Sequence, residues 1–340
     1  MRKSRLRVSA AVAASAALAV AAAMLVATSA SGATTIKIGL ITKTETNPFF
    51  VKMKEGAQKA AKQHGAELLT AAGKFDGDTA SEITAIENMT TAGVKAILIT
   101  PSSKAVVPAL LKAKRSGVMI VALDTPTDPS SAADVLYATN NFTAGVLIGK
   151  YAKAVFGTKP AKIATLDLFP RPPVDLLRHN GFLKGFGNAA AASTAKSFAK
   201  DTRVVCSQDT SGNQAKGQTA MENCLQRASD LNLVYTINEP AAAGAYRALK
   251  AAGKDKSVTV VSVDGGCEGV RNVKKGIITA TSQQYPLKMA ALGVKAGVDF
   301  AKTGKKVTGY VDTGVNLITA KPIKGVASKG VAFGLANCWG

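Results

Sequence analysis

The chain has 340 residues, of which 47% are hydrophobic and 19% charged, and its formal net charge is +21. This composition is too apolar for a disordered chain, and the length exceeds that of a miniprotein that depends on disulfide bonds. The length alone predicts about two domains.

The first 33 residues are organised like a secretory signal peptide. Four cations within the first seven residues precede the small or apolar stretch 10–27, which is followed by Ser31-Gly32-Ala33. A basic start, an apolar middle and small residues at the end are typical of such peptides. We place cleavage after Ala33, with Ala30 as the second choice. An uncleaved membrane anchor is the alternative.

Export changes how the remaining basic excess is interpreted. No cysteine precedes Cys206, which excludes lipid attachment at a leader cysteine, so we expect secretion to the periplasm or the exterior of the cell envelope without a lipid anchor. The lysines are scattered, and the sequence has no basic run with interleaved aromatics and no zinc-ligand spacing. We therefore expect no nucleic-acid partner.

Four cysteines in an exported chain favour two disulfide bonds. Three pairings are possible, and we favour Cys206–Cys224, separated by one predicted turn and helix, together with Cys267–Cys338, which would attach the C-terminal tail to a loop. Free buried thiols are the alternative. No pair has C-x-x-C spacing, so a redox motif is not indicated.

Strands and helices alternate from residue 36 onwards, and the same alternation restarts after about Asn141. Asn47-Pro48 starts the first helix, because Asn is a good cap and Pro fits the first turn, and Gly65 ends it. The predicted strands are 36–42, 67–71, 94–100, 118–123, 162–169, 203–206, 232–238, 257–263, 277–283 and 311–319. The predicted helices are 47–65, 78–92, 104–116, 145–151, 175–188, 214–229, 241–252, 267–275 and 286–303.

Near-continuous apolar strands between amphipathic helices indicate parallel sheets covered on both faces. The predicted fold class is therefore α/β, with two doubly wound parallel-sheet lobes. Ligands of such sheets bind beyond the carboxyl ends of the strands. Polar residues at predicted strand ends are Thr42, Thr100, Asp124, Asn238, Asp264 and Gln284.

The sequence has few features of an enzyme. No G-x-G-x-x-G follows a predicted strand, G-x-S-x-G is missing, and the only histidines are His64 and His179. These absences argue against a dinucleotide site, a histidine-based triad and a metal site. We predict a binding protein with no catalytic residues, no cofactor and no metal.

Several candidate binding residues also have a simpler structural interpretation. Asn47 would cap the first helix, and Phe49 and Phe50 would enter the core. Because adjacent aromatics cannot share one helix face, one of them could instead line the cleft, where a ring suits the apolar face of a sugar. A carboxylate such as Asp124 can accept two hydroxyl hydrogen bonds, but it can also cap a turn. Arg178 could donate to hydroxyls or be solvated.

Six short motifs in a fixed order carry a resemblance to a known family. They are Asn47-Pro48-Phe49-Phe50, Leu123-Asp124, Arg178-His179-Asn180-Gly181-Phe182, Asn238-Glu239, Val263-Asp264-Gly265 and Gln284-Tyr285-Pro286. On these motifs the chain resembles the type 1 periplasmic solute-binding proteins over about residues 36–320. It is most similar to the group, related to ribose-binding proteins, that supplies sugar ABC transporters.

The resemblance implies a ligand-binding role for ten residues. Asn47 would bond sugar hydroxyls while Phe49 and Phe50 flank the ring, and Asp124 and Arg178 would bind hydroxyls from opposite lobes. The full implied set is Asn47, Phe49, Phe50, Thr100, Asp124, Thr125, Arg178, Asn238, Asp264 and Gln284.

The chain departs from the ribose-binding pattern at several cleft positions. Thr100 and Thr125 stand where those proteins carry Asn and Arg, and Lys43 and Glu45 replace small or apolar residues. An aromatic residue near 209–212 is missing.

Phe169 could substitute for that missing ring. The departures argue against ribose itself. Segment 311–322 and loop 264–267 are more similar to the fructose-binding branch.

The resemblance also implies lobes formed by 34–139 plus 284–310 and by 140–283 plus 311–340. A hinge would lie at about 139–141, 282–284 and near Tyr310, and the bond Cys267–Cys338 would stay within one lobe. The implied protein is a monomer that closes on a monosaccharide and docks on an ABC permease.

Three other functions share parts of this pattern. They are a sugar sensor, a sugar-responsive repressor and a secreted hydrolase that uses Asp124 and Asp264 as a carboxylate pair.

Overall fold

A computed structural model describes residues 35–169 and 171–340, so the predicted signal peptide lies outside the described residues. The described strands are β1 (Ile36–Thr42), β2 (Ala66–Ala72), β3 (Ala96–Ile99), β4 (Met119–Leu123), β5 (Val135–Ala138), β6 (Ile163–Asp167), β7 (Val204–Asp209), β8 (Leu233–Thr236), β9 (Thr259–Asp264), β10 (Ala280–Gln283), β11 (Gly309–Asp312) and β12 (Asn316–Thr319).

The described α-helices lie mostly where the sequence predicts them. They are α1 (Pro48–His64), α2 (Thr79–Thr91), α3 (Val107–Arg115), α4 (Asn141–Phe156), α5 (Pro173–Gly185), α6 (Gln214–Arg227), α7 (Glu239–Ala251), α8 (Cys267–Lys274), α9 (Pro286–Thr303) and α10 (Val331–Asn337). Strand β5 and helix α10 were not predicted. Within the described part of the chain, no helix combines the length and hydropathy that a membrane crossing requires.

The strands form two sheets of six, one in each lobe, as predicted. The first has the order β11-β5-β4-β3-β1-β2 and the second β12-β10-β9-β8-β6-β7. All pairs are parallel except β10 with β12. The chain reverses its winding direction between β1 and β3 and again between β6 and β8, and ligands bind at such points beyond the strand ends.

The prediction of a single strand at 311–319 is wrong. The structure divides it into β11, which pairs with β5 of the first sheet, and β12, which pairs with β10 of the second. Gly314 lies between them with φ of 94°, a conformation that favours glycine and turns the chain. The third crossing between lobes is therefore at 313–315, and not near Tyr310.

The three crossings lie side by side and are hydrogen-bonded to one another. Thr139, on the first crossing, donates through its hydroxyl to the carbonyl oxygen of Gly314 on the third, at 3.0 Å. Asn316 donates through Nδ2 to the hydroxyl of Tyr285, on the second, at 2.7 Å. A hinge of three linked strands restricts lobe motion to bending about one line.

Both disulfide bonds have the favoured pairing. Cys206–Cys224 joins β7 to α6, and Cys267–Cys338 joins the start of α8 to the C-terminal tail. Each bond lies next to the second sheet, so neither connects the two sheets.

Glycines allow helices α4 and α5 to pack with their backbones in contact. A methyl group added at Gly149 would overlap the carbonyl oxygen of Phe182, and one at Gly145 would overlap that of Arg178. Because close packing of this kind fixes the position of α5, it also fixes the side chain of Arg178.

A buried carboxylate holds the loop that follows β3. Glu82 of α2 accepts hydrogen bonds from the backbone N–H of Ser102 at 3.1 Å and from its hydroxyl at 2.6 Å. Burial raises the pKa of Glu82 from 4.5 to about 7, although the bonds from Ser102 oppose this change.

We expect Gly149→Ala to lower the free energy of unfolding by about 1–3 kcal/mol, because two backbones must separate to admit the methyl group. Thermal unfolding measures the effect. Gly330→Ala is the matched control, since a methyl group there meets no atom within 4 Å. Equal melting temperatures for the two variants would contradict this packing.

We expect Glu82→Gln to flatten the pH dependence of stability. In the wild type, the unfolded chain ionises Glu82 above about pH 4.5 while the folded chain keeps it protonated until about pH 7. The free energy of unfolding therefore falls by about 3 kcal/mol through this group as pH rises across that window. The amide keeps both hydrogen bonds, since it can accept from the N–H of Ser102 and donate to its hydroxyl.

Denaturant titrations between pH 4.5 and 8 measure this difference. Glu87→Gln, on the exposed face of the same helix, should retain the wild-type dependence. Parallel curves for wild type and Glu82→Gln would show that Glu82 ionises normally in the folded protein.

Candidate functional site

A cavity of about 510 Å³ lies between the two lobes, beyond the carboxyl ends of the strands. Its volume is in the usual range for small-molecule sites. The first lobe contributes residues after β1 and β2, and the second contributes the start of α7, the end of β9 and the start of α8. The lining includes Asn47, Pro48, Phe75, Asp76, Ser211, Gly212, Asn213, Glu239, Asp264, Gly266, Cys267 and Trp339.

Two carboxylates that end buried strands have unusual backbone conformations. Asp124 follows β4 with φ of 60°, and Asp264 ends β9 with φ of 140°. They are two of the four non-glycine residues with positive φ in the described chain. Such strain is retained mainly at functional positions, where the surrounding structure holds a side chain in a required direction.

Arg178 connects these two carboxylates across the boundary between the lobes. Its Nη2 lies 3.4 Å from Oδ1 of Asp124, and its Nη1 lies 3.7 Å from Oδ1 of Asp264. Nε donates to Oδ1 of Asn141 at 2.7 Å, and Nη1 donates to the carbonyl oxygen of Ile237 at 3.0 Å. The buried guanidinium is thus compensated from several directions by charged and polar acceptors.

The protonation of Asp264 depends on opposing effects. Burial, with a smaller contribution from the neighbouring Asp124, raises its pKa, Arg178 and a hydrogen bond from Gln284 oppose the rise, and the net result is a pKa of about 7. Nε2 of Gln284 donates to Oδ1 of Asp264 at 2.8 Å. Oε1 of the same Gln284 is buried without a hydrogen-bond partner. A buried acceptor without a partner is uncommon, although Gln284 is fully buried and does not itself line the cavity.

Glu239 supports the loop that carries Asp264. Its two carboxylate oxygens accept from the backbone N–H groups of Gly265 and Gly266, at 2.9 and 3.0 Å, and from the hydroxyl of Thr281 at 2.8 Å. Burial and the nearby Asp264 raise the pKa of Glu239 to about 8, against the effect of these donors.

The first-lobe wall contains a buried ion pair. The side chain of Lys43 is only 2% exposed, and its Nζ lies 3.7 Å from Oδ1 of Asp76, which lines the cavity. Burial raises the pKa of Asp76 and Lys43 opposes that rise. The backbone N–H of Lys43 donates to the hydroxyl oxygen of Thr100 at 3.1 Å.

The structure divides the predicted binding residues into three groups. Asn47 and Asp264 line the cavity directly, and Asn47 also caps α1 by accepting from the N–H of Phe49. Phe49 and Phe50 are buried in the first-lobe core, with ring centroids 5.4 Å apart. The remaining predicted residues surround Asp264 or the strand ends, and they are Thr100, Asp124, Thr125, Arg178, Asn238 and Gln284.

Two of these supporting residues are committed to local hydrogen bonds. Asn238 caps α7 through Oδ1 and donates through Nδ2 to the carbonyl oxygen of Gly212 at 3.0 Å. The hydroxyl of Thr125 donates to Oδ2 of Asp124 at 3.0 Å. Asn238 therefore positions the loop at Gly212, and Thr125 positions the carboxylate of Asp124.

Phe169, the expected substitute for the missing aromatic, is 66% exposed and is not among the residues that line the cavity. Trp339 lines the cavity instead, although no sequence pattern indicates a role for this residue. The available signal was its position beside Cys338, whose predicted disulfide returns the tail to the loop after β9. Asn141 and Asp76 were also missed, although Asp76 follows a predicted strand end.

The residues described here do not form a metal centre. Among residues 35–169 and 171–340, no group of three or more His, Cys, Asp or Glu side chains could hold a metal ion. Asp124 and Asp264 face the guanidinium of Arg178 between them, an arrangement suited to hydrogen bonding with neutral hydroxyls.

Known proteins are similar to this chain in sequence. A ribose import binding protein of Haemophilus influenzae is 31% identical over 86% of this chain and 94% of its own length. The D-allose-binding periplasmic protein of Escherichia coli is 28% identical over 82% of this chain and 89% of its own.

A solved structure, an Agrobacterium vitis ABC transporter solute-binding protein with bound D-fucose, superposes with a TM-score of 0.76. Its sequence is 26% identical, and the match covers 89% of this chain and 100% of the solved chain. The family model described as "Periplasmic binding protein domain" matches residues 38–306, which is most of the chain. The chain therefore belongs to the periplasmic binding protein family.

Proposed function

We propose that this chain is the extracytoplasmic sugar-binding component of an ABC transporter. It captures a monosaccharide in the cavity between the lobes and delivers it to a membrane permease. As a member of a family of binding proteins, the protein is not an enzyme.

The main support for this function is the contact of Arg178 with acceptors from both lobes. The guanidinium lies between Asp124 of the first lobe and Asp264, which lines the cavity. Charged groups of this kind form stronger hydrogen bonds to hydroxyls than neutral groups do. A polyhydroxylated guest would hydrogen-bond to Asn47 on the first wall and to Asp264 on the second.

Ligand binding is coupled to lobe closure in this proposal. Asn47 lies on the first wall and Asp264 on the second, so only the closed form offers both to one ligand. A ligand that contacts both walls stabilises the closed form, and the three linked crossings provide the hinge. The closed protein then docks on the permease as a monomer.

The ligand class follows from the cavity and the relatives together. Relatives named for ribose and D-allose, and a similar structure with D-fucose, favour a pentose or hexose. Fructose is the more specific candidate among these sugars, because loop 264–267 is similar to that of the fructose-binding branch. We further propose that residues 1–33 direct export and are removed.

Calorimetric titration with D-ribose, D-allose, D-fucose and D-fructose tests the binding. We expect at least one sugar to bind with a Kd well below about 1 mM, because two polar walls enclose it. Mass spectrometry after incubation should recover that sugar unchanged. If none of these sugars, nor any other common pentose or hexose, bound below the millimolar range, the proposed function would be wrong.

We expect Arg178→Lys to weaken sugar binding about 30-fold or more, equivalent to about 2 kcal/mol. An ammonium group cannot reach Asp124, Asn141 and the carbonyl of Ile237 together, whereas the planar fork does. The same titration measures the change, with Arg203→Lys as control.

Arg203 pairs with Asp201 in the second lobe and does not line the cavity, so its variant should bind like the wild type. Thermal unfolding of both variants establishes that they are folded. If Arg178→Lys bound the sugar with an affinity within about threefold of wild type, Arg178 would not contribute to sugar binding as proposed.

A further inference from the structure

The C-terminal tail places the only tryptophan of the chain in the wall of the cavity. Trp339 lines the cavity and is 7% exposed, although it lies one residue from the end of the chain. The lining residues described include one other aromatic side chain, Phe75 of the first lobe, which is 60% exposed.

Three contacts fix the indole ring. Its Nε1 donates to the carbonyl oxygen of Gln284, on the second crossing, at 2.9 Å. The indole and the ring of Phe49 form an edge-to-face pair, with centroids 5.5 Å apart and planes at 77°. A methyl group at Gly266 would lie 3.3 Å from the ring, so glycine there leaves space for it.

The adjacent disulfide bond holds the tail in this position. Cys338 is bonded to Cys267, and the backbone N–H of Cys267 donates to the carbonyl oxygen of Trp339 at 3.0 Å. The tail is thus anchored to the second lobe while the indole packs on Phe49 of the first. A rotating surface side chain would have none of these restraints.

We propose that Trp339 is a specificity-determining ligand contact, and that the bond Cys267–Cys338 is the device that positions it. The indole supplies a flat apolar wall to the C–H face of a sugar ring, opposite the polar groups of Asn47 and Asp264. It therefore selects cyclic monosaccharides over the corresponding linear alditols, which present no flat face. This inference rests on the proposed function and extends it to one residue.

Trp339→Ala and Trp339→Phe test the contact by calorimetry, with the tightest sugar of the panel and its alditol. We expect Trp339→Ala to weaken sugar binding about tenfold or more and to reduce the preference for sugar over alditol. The Phe variant should lose less, because it keeps an aromatic face. Phe333→Ala is the matched control, since Phe333 lies in the same tail segment outside the cavity lining.

Fluorescence gives an independent measurement, because the wild type contains a single indole. Sugar should change its emission with the Kd obtained by calorimetry. Sugar binding by Trp339→Ala within about twofold of wild type, with no change in wild-type emission, would overturn the inference and leave the proposed function intact. Failure of the wild type to bind any sugar would overturn both.

Paired cysteine variants test the positioning role. Cys267→Ser/Cys338→Ser should weaken sugar binding, because the tail loses its covalent link to α8 and only noncovalent contacts then hold the indole. Cys206→Ser/Cys224→Ser removes the other disulfide, which does not line the cavity, and should keep wild-type affinity below its unfolding temperature. Equal affinity of the two paired variants would overturn the positioning role of Cys267–Cys338.

Discussion

A buried guanidinium must be compensated by acceptors from the directions that it faces, and Arg178 obtains them from both lobes. Asp124 comes from the first sheet, and Asp264 and the carbonyl of Ile237 come from the second. Because removal of any one acceptor would leave a buried N–H donor or charge of Arg178 less well paired, this contact constrains both the relative position of the lobes and the shape of the site.

The surrounding structure is arranged to hold this contact. Glycines in α4 and α5 let the two helices approach closely enough to set the position of Arg178. Glu239 binds the loop after β9, and the positive φ angles of Asp124 and Asp264 direct both carboxylates towards the guanidinium. The strain in these backbones is offset by hydrogen bonds elsewhere, as is common at binding sites.

The second wall of the site comes from parts of the chain that are far apart in sequence. Three of its residues lie at the ends of different strands of the second sheet, and they are Asn213, Glu239 and Asp264. Trp339 joins them from the C-terminal tail. A disulfide bond within this lobe ties the tail without joining it covalently to the other lobe. The hinge therefore remains free to open, while the indole still reaches the first-lobe ring of Phe49.

The amino-acid sequence by itself determined the alternation of strands and helices, because apolar runs, Asn and Pro at helix starts and Gly at helix ends are local signals. It also indicated Asp124, Asp264 and Asn238, since each follows an apolar strand. The division of 311–319 between two sheets escaped it, because both halves have strand character and only pairing partners distinguish them. Tertiary structure alone decided that Trp339 packs into the same buried cluster as Phe49 and Phe50 and also lines the cavity, since that outcome depends on contacts between distant segments and on no local pattern.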